Sequence, residues 1–66
     1  MQLTKKAIQK IDTIEGRAAL MVALNVSEQW VNRLLAVNKD NGPLTSVAAV
    51  LEIERVTGLP QREILT

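Results

Sequence analysis

Two short stretches of regularly spaced apolar residues, separated by a brief break, dominate the pattern of the chain between Arg17 and Ala36. The first stretch predicts a compact helix of small and branched residues, namely Ala18, Ala19, Leu20, Val22, Ala23 and Leu24. Asn25 tolerates the left-handed backbone in which many helices end, and Ser27 is a favoured cap at the start of a helix. The pattern therefore predicts a helix-turn-helix.

The second of these helices has one apolar and one polar face. Successive residues of a helix are rotated by about 100°, so its apolar side chains cover an arc of roughly 140°. They are Trp30, Val31, Leu34 and Leu35. The polar arc opposite them holds Glu28, Gln29, Asn32 and Arg33. These side chains both donate and accept hydrogen bonds, as contacts to base edges in a DNA major groove require. A solvated surface helix has the same pattern, so the helix alone leaves both interpretations open.

A shorter amphipathic helix is predicted before the helix-turn-helix. Thr4 is its expected N-terminal cap, and Glu15 and Gly16 are expected to end it and redirect the chain. Its apolar residues recur at the spacing of one helical face and are Ala7, Ile8, Ile11 and Ile14. The only basic cluster of the chain lies outside this face and consists of Lys5, Lys6 and Lys10. This cluster suits either a clamp on phosphates or a solvated surface.

Residues 37–43 give the strongest loop signal, because an Asn-Gly and a Gly-Pro pair fall in one polar run. A fourth helix is expected between a cap at Thr45 and an end at Gly58. Its apolar positions are Val47, Val50, Leu51 and Ile53. Pro60 then favours the first turn of a last short helix, from Gln61 to Leu65. The whole pattern predicts an all-α fold of five helices.

Composition narrows the class of protein. The chain has 66 residues, which suits one domain over residues 1–66, and it has no disulfide or Cys/His metal set to stabilise it. Its net charge of +1 is too small to indicate a nucleic-acid partner by itself. The longest apolar run, Ala18 to Leu24, is too short to span a membrane, and no signal-peptide pattern opens the chain. We therefore expect a cytoplasmic protein.

The residue types that usually carry catalysis are missing. There is no histidine, no cysteine and no glycine-rich phosphate loop, and the carboxylates show no spacing typical of a catalytic pair. We therefore expect neither enzyme activity nor a cofactor. The alternative to DNA binding is a protein-binding module, such as an antitoxin or antirepressor, because a fold does not fix its function. One solvent-facing patch formed by Trp30, Leu35 or Leu65 would favour that alternative.

Five short motifs along the chain, taken together, are typical of one family of small proteins. They are Gly16-Arg17 with Leu20, the turn Leu24-Asn25-Val26-Ser27, the pair Val31 and Leu34, the run Ile53-Glu54-Arg55-Val56-Thr57-Gly58, and Ile64-Leu65. With them, the sequence from about Ala7 to Thr66 resembles the small helical phage Cro and repressor family, and within it the YdaS-like Cro branch. It differs from the family pattern at Met21, where Ala is usual, at Asn25, where Gly is usual, and at Leu34-Leu35, where many relatives have Trp.

The resemblance implies a DNA-binding transcriptional regulator of phage or prophage type, with a compact five-helix domain of the lambda-repressor-like type. The helix from Ser27 to about Ala36 would then lie in the major groove of a double-stranded DNA operator. The residues expected to read bases are Ser27, Glu28, Gln29, Asn32 and Arg33.

A protein of so little charge also needs anchors on the DNA backbone. We expect Arg17, at the start of the second helix, to contact a phosphate, together with Asn38 and Lys39 beyond the recognition helix. A surface ion pair of Arg17 with Glu54 or Glu15 is the alternative.

One recognition helix covers few base pairs, so a weak homodimer on a pseudo-palindromic operator is expected. Its predicted surface is the loop from Asn38 to Leu44 together with the fifth helix, where Pro43, Leu44 and Leu65 would be exposed. Trp30, at the edge of the apolar arc, is expected to be partly buried, with a thymine methyl or a dimer contact as alternatives.

Overall fold

Hydroxyl side chains begin four of the five α-helices in the computed structural model, which describes residues 1–66. Each hydroxyl accepts a hydrogen bond from the backbone N–H three residues later, and the four caps are Thr4, Thr13, Ser27 and Ser46. The helices are α1 (Lys5–Ile11), α2 (Ile14–Leu24), α3 (Glu28–Val37), α4 (Val47–Thr57) and α5 (Gln61–Ile64), and a 3-10 turn spans Pro43–Thr45. The predicted all-α fold of five helices is confirmed.

Left-handed residues end the three longest helices. Asn25 follows α2 with φ 54°, Asn38 follows α3 with φ 48°, and Gly58 follows α4 with φ 75°. In each case the backbone N–H of the left-handed residue donates to a carbonyl of the last helical turn. The sequence predicted these roles for Asn25 and Gly58, because Asn and Gly are the residues that adopt this backbone most readily.

The junction between α1 and α2 differs from the prediction. The chain turns at Asp12 and Thr13, so Ile14 begins α2, where its side chain is 82% exposed and does not belong to the apolar face of α1. Gly16 does not end a helix but lies buried inside α2. The cap of α4 is likewise Ser46 and not the predicted Thr45, because Thr45 belongs to the preceding 3-10 turn.

The core is a single aliphatic cluster of 12 buried residues to which all five helices or their flanks contribute. Its largest fully buried side chains are Leu3, Ile11, Leu20, Val31, Ile53 and Ile64. No polar or charged residue is buried, so no polar side chain requires a hydrogen-bond partner inside the core. None of the helices combines the length and apolarity needed to cross a membrane.

The two ends of the chain lie side by side. Gln2 and Thr66 exchange two backbone hydrogen bonds of 3.1 and 2.9 Å, and Leu3 and Leu65 form an antiparallel bridge. Leu65 packs partly buried against the core, and Leu44 is only 3% exposed. The predicted exposure is therefore wrong for Leu44, which belongs to the core, while Leu65 is half-buried and keeps part of its surface exposed.

Candidate nucleic-acid interface

The turn between α2 and α3 fixes the direction of α3. The Val26 N–H donates to the Met21 carbonyl over 3.1 Å, and the Val26 side chain packs against the core. Ser27 then caps α3 by accepting from the Trp30 N–H over 3.2 Å. Two side chains of α3, Val31 and Leu35, are buried and hold the helix against the rest of the fold.

The opposite face of α3 is exposed and makes no hydrogen bond or ion pair within the chain. Its polar side chains, all exposed, are Glu28, Gln29, Asn32 and Arg33. None of them makes a hydrogen bond or an ion pair within the chain. Ser27 lies at the start of this face, with its hydroxyl oxygen occupied by the cap but its O–H still able to donate. The structure thus brings together the five residues predicted to read bases.

Trp30 lies where the polar face of α3 meets an apolar groove. Its side chain is 44% exposed, which agrees with the predicted partial burial. The groove has a volume of about 280 Å³, and its apolar lining is Trp30, Leu34, Val37, Pro43 and Leu44. The Arg33 guanidinium carbon lies 5.7 Å from the centroid of the Trp30 ring, within the range of a cation–π contact. The sequence analysis missed this contact, although residues three apart are neighbours on a helix.

Arg17 is placed differently from the prediction. Its backbone N–H donates to the Thr13 carbonyl, so it lies inside α2 rather than among the free N–H groups that open the helix. Its guanidinium pairs with Asp12 over 2.6 Å and not with Glu54 or Glu15. The chain turns at Asp12 and Thr13, between α1 and α2. This turn brings Asp12 close to Arg17, a contact that helical spacing did not predict.

Asn38 has a structural role that replaces its predicted contact with a phosphate. Its side-chain oxygen accepts from the Leu3 N–H over 3.2 Å, and its amide nitrogen donates to the Leu3 carbonyl over 3.0 Å. The side chain thus completes the backbone hydrogen bonding of a residue that is distant in sequence. The side chain of Asn38 is therefore engaged within the protein and is not a candidate for contact with DNA.

Lys39 remains a candidate contact with the DNA backbone. It is exposed, has no carboxylate partner, and lines the same groove as Trp30 and Arg33. Two cations without an ion-pair partner, Arg33 and Lys39, therefore line the same groove.

The lysine cluster of α1 belongs to another part of the surface. Helix α1 packs against α2, α4 and α5. Lys6 pairs with Glu63 of α5 over 2.7 Å, and its hydrogen bond and charge lower the pKa of the Glu63 carboxyl. Lys5 and Lys10 are exposed on the same helix. None of these lysines lines the groove that holds Trp30, Arg33 and Lys39.

Comparison of the chain with protein-family models, curated proteins and solved structures gives no match. The resemblance to the phage Cro and repressor family therefore remains a prediction that depends on the motifs in the sequence.

Proposed function

We propose that this protein is a sequence-specific DNA-binding regulator of transcription, of the Cro and repressor type, which inserts α3 into the major groove of an operator. The observation that carries the proposal is the unoccupied polar face of α3. Gln29, Asn32 and Arg33 are exposed and make no hydrogen bond within the chain, although α3 itself is held firmly by two buried side chains. Such side chains are available to hydrogen-bond with a ligand.

The chemistry of the face suits base edges. A guanidinium such as that of Arg33 donates two hydrogen bonds to guanine, and the amides of Gln29 and Asn32 match the donor and acceptor pair of adenine. The Glu28 carboxylate can accept from the amino group of cytosine. A face that carries all three types of group can discriminate between bases rather than only attract phosphates.

The ion pairs within the chain leave two cations beside α3 without a partner, which supports this surface as the one that contacts DNA. Three basic side chains are neutralised by carboxylates within the chain, namely Lys6, Arg17 and Arg55. Five are not, and of these Lys5, Lys10 and Arg62 lie elsewhere, whereas Arg33 and Lys39 line the groove beside α3. Arg17 can join them if it leaves Asp12, because an exposed pair of this kind contributes only about 0–1 kcal/mol.

Selection of double-stranded DNA from a random library, followed by titration at two salt concentrations, tests the proposal. We expect one preferred sequence, with Asn32→Ala and Arg33→Ala each weakening its binding by about 1–3 kcal/mol. The matched controls are Gln61→Ala and Arg62→Ala, which remove an amide and a guanidinium from exposed positions of α5. The control variants should bind like the parent protein, and all four variants should keep the parent thermal stability.

Equal binding of all DNA sequences would exclude sequence-specific recognition. An absence of DNA binding by the folded protein would favour the second candidate, a protein-binding module such as an antitoxin or antirepressor. Of the three residues named for an apolar patch, Leu35 is buried at 7% exposure, Leu65 is half-buried and Trp30 is 44% exposed. What favours the second candidate is the high exposure of apolar side chains elsewhere, such as Ile14 at 82% and Val22 at 83% on α2. A DNA-binding regulator would act in the cytoplasm, and it would need no cofactor.

A further inference from the structure

The groove beside α3 is not filled by any side chain of the protein. Two apolar side chains of its lining remain largely in water, since Trp30 is 44% exposed and Val37 is 64% exposed. Leu34 and Leu44, which are less exposed, line it as well. A second molecule that covers these side chains removes apolar surface from water, which favours binding. We call this site the α3 groove.

One wall of the α3 groove differs from the face proposed to read bases. Trp30, Leu34 and Val37 follow each other at intervals of four and three residues, so they lie on one side of α3. Arg33 lies between this row and the polar face, and it lines the groove. An occupant of the groove therefore meets Arg33 and no other polar residue of α3.

The other wall is a short loop that is held by its own hydrogen bonds. The Gly42 N–H donates to the Lys39 carbonyl over 3.1 Å, and the Thr45 N–H donates to the Gly42 carbonyl over 3.0 Å. A Cβ at Gly42 would lie 3.0 Å from the Lys39 carbonyl oxygen, so the loop closes tightly at this point. Pro43 follows with its restricted φ and begins the 3-10 turn. The groove is therefore preformed, which lowers the cost of ordering it around a ligand.

The charge at the α3 groove is positive and has no internal partner. Arg33 and Lys39 line the groove, and neither forms an ion pair within the chain. No carboxylate lines it, and Asp40, which follows Lys39, pairs with the N-terminal ammonium instead. The Arg33 guanidinium carbon lies 5.7 Å from the centroid of the Trp30 ring, so a cation and an aromatic surface are adjacent. This combination is complementary to an apolar molecule that carries a negative charge.

We propose that the α3 groove binds a small organic acid, in which an apolar ring or branched chain carries one carboxylate. The apolar part packs against Trp30 and Val37, and the carboxylate accepts charge-assisted hydrogen bonds from the cations of the lining. The groove volume of about 280 Å³ lies just below the range of about 300–1,000 Å³ that is typical of small-molecule sites. A ligand of one ring with a short acid chain suits this size.

The consequence for DNA rests on the proposed function. Arg33 belongs both to the α3 groove and to the face proposed to read bases. Its guanidinium cannot pair with the carboxylate of a ligand and donate two hydrogen bonds to guanine at the same time. The acid therefore lowers the affinity for the operator, and the operator lowers the affinity for the acid by the same factor. The ligand is thus an effector that releases the protein from DNA.

Fluorescence of the protein without DNA tests the site by itself. Trp30 is the only tryptophan of the chain and lines the groove, so its emission reports an occupant directly. We expect phenylpropionate to change this emission in a saturable way. Its neutral amide should bind about tenfold more weakly, because it offers no charge to Arg33 and Lys39. Acetate, which has the carboxylate but no apolar part, should cause no change at the same concentrations.

Two matched pairs of variants test the location of the site. Lys39→Gln should weaken the binding of phenylpropionate about tenfold, whereas Lys5→Gln, which removes an exposed charge from α1, should leave it unchanged. Val37→Asp places a carboxylate in the groove and should also weaken binding, because like charges repel. Val22→Asp makes the same change at an exposed position of α2 outside the groove and should bind like the parent. All four positions are exposed, so circular dichroism should show the parent fold.

Titration of the preferred DNA sequence in the presence of the acid tests the competition. Saturating phenylpropionate should weaken DNA binding by the parent protein about tenfold, which is within the range expected for the loss of one bidentate contact. It should weaken DNA binding by Arg33→Ala much less, because the shared group is already absent. Unchanged DNA affinity of the parent at saturating acid would overturn the competition.

The fluorescence results decide the site independently of DNA. The absence of a saturable change up to millimolar phenylpropionate would overturn the proposed site. Equal binding of the acid and its amide would overturn it too, as would unchanged binding by Lys39→Gln and Val37→Asp. A protein that binds no DNA would refute the proposed function and leave these results as they are, so the two failures are distinguishable.

Discussion

The carbonyl oxygen of Ile11 occupies the space beside Gly16 so closely that a Cβ at Gly16 would lie 1.9 Å from it. The end of α1 and the first turn of α2 therefore meet backbone to backbone. No residue with a side chain fits here unless the two helices move apart.

Gly16→Ala should destabilise the protein by about 1–3 kcal/mol, because the added methyl group meets a backbone atom that cannot rotate away. In an unobstructed helix the same substitution would stabilise by up to about 1 kcal/mol, so the sign of the change is diagnostic. Chemical denaturation measures it. Gly58→Ala is a useful comparison, since a Cβ there meets no atom and only the left-handed backbone is strained, at a cost of about 1–2 kcal/mol. A more stable Gly16→Ala variant would contradict the close approach.

Asn38→Gly should destabilise the protein by about 1–3 kcal/mol while leaving the affinity of the folded protein for DNA unchanged. Glycine keeps the left-handed backbone, but the two hydrogen bonds to Leu3 are lost and a partly buried backbone group loses its partners. Asn25→Gly is the control, because the Asn25 side chain makes no hydrogen bond and its backbone has the same left-handed form. A loss of DNA affinity in Asn38→Gly at unchanged stability would restore the contact with phosphate that the sequence suggested.

Lys39→Ala should weaken the binding of specific and nonspecific DNA to a similar degree and lower the slope of log affinity against log salt by about one. The reason is that an exposed, unpaired ammonium neutralises one phosphate without reading a base. Titrations at several salt concentrations measure the slope. Lys5→Ala removes an equally exposed charge from α1 and should leave the slope unchanged. A loss confined to the preferred sequence would show that Lys39 contacts a base.

The pair of Lys6 and Glu63 should make a small contribution to stability that depends on pH. The lysine lowers the pKa of Glu63 in the folded protein below its ordinary value of 4.5. The folded state therefore binds this proton less readily than the unfolded state, so the contribution is complete above that value and is lost as the pH falls through the folded pKa. Stability measured from pH 7 to pH 3 should fall less steeply in Glu63→Gln than in the parent. Lys6→Ala should show the same reduced dependence, and parallel curves for all three proteins would show that the pair contributes nothing.

Local sequence signals predicted the helices and most of their ends well. Thr4, Asn25, Ser27 and Gly58 each act within one turn of their own helix, so their roles depend on little besides the neighbouring backbone. The polar face of α3 followed from the same local geometry. These are the features that a single sequence with helical periodicity determines.

The patterns in the sequence did not predict contacts between residues that are distant along the chain. The Asn38 side chain binds Leu3, which lies 35 residues away, and nothing in the local sequence distinguishes that amide from one that meets a phosphate. Gly16 was interpreted as a breaker because a glycine in a helix and a glycine in a turn look alike until the position of Ile11 is known. Ile14 was assigned to the wrong helix for the same reason. Its spacing fits the apolar face of α1, but the chain turns before reaching it.

The backbone pairing of Gln2 with Thr66 also bears on the order in which the chain folds. The turn between α2 and α3 joins neighbouring segments, whereas the pairing of the ends closes a loop of nearly the whole chain, whose entropic cost grows with its length. The ends are therefore expected to join only after the helices between them have assembled, and to open first. Amide hydrogen exchange should be faster at Thr66 than at Val31, whose N–H is held inside α3 next to the core. Faster exchange at Thr66 would indicate that the ends of the chain dock late in folding.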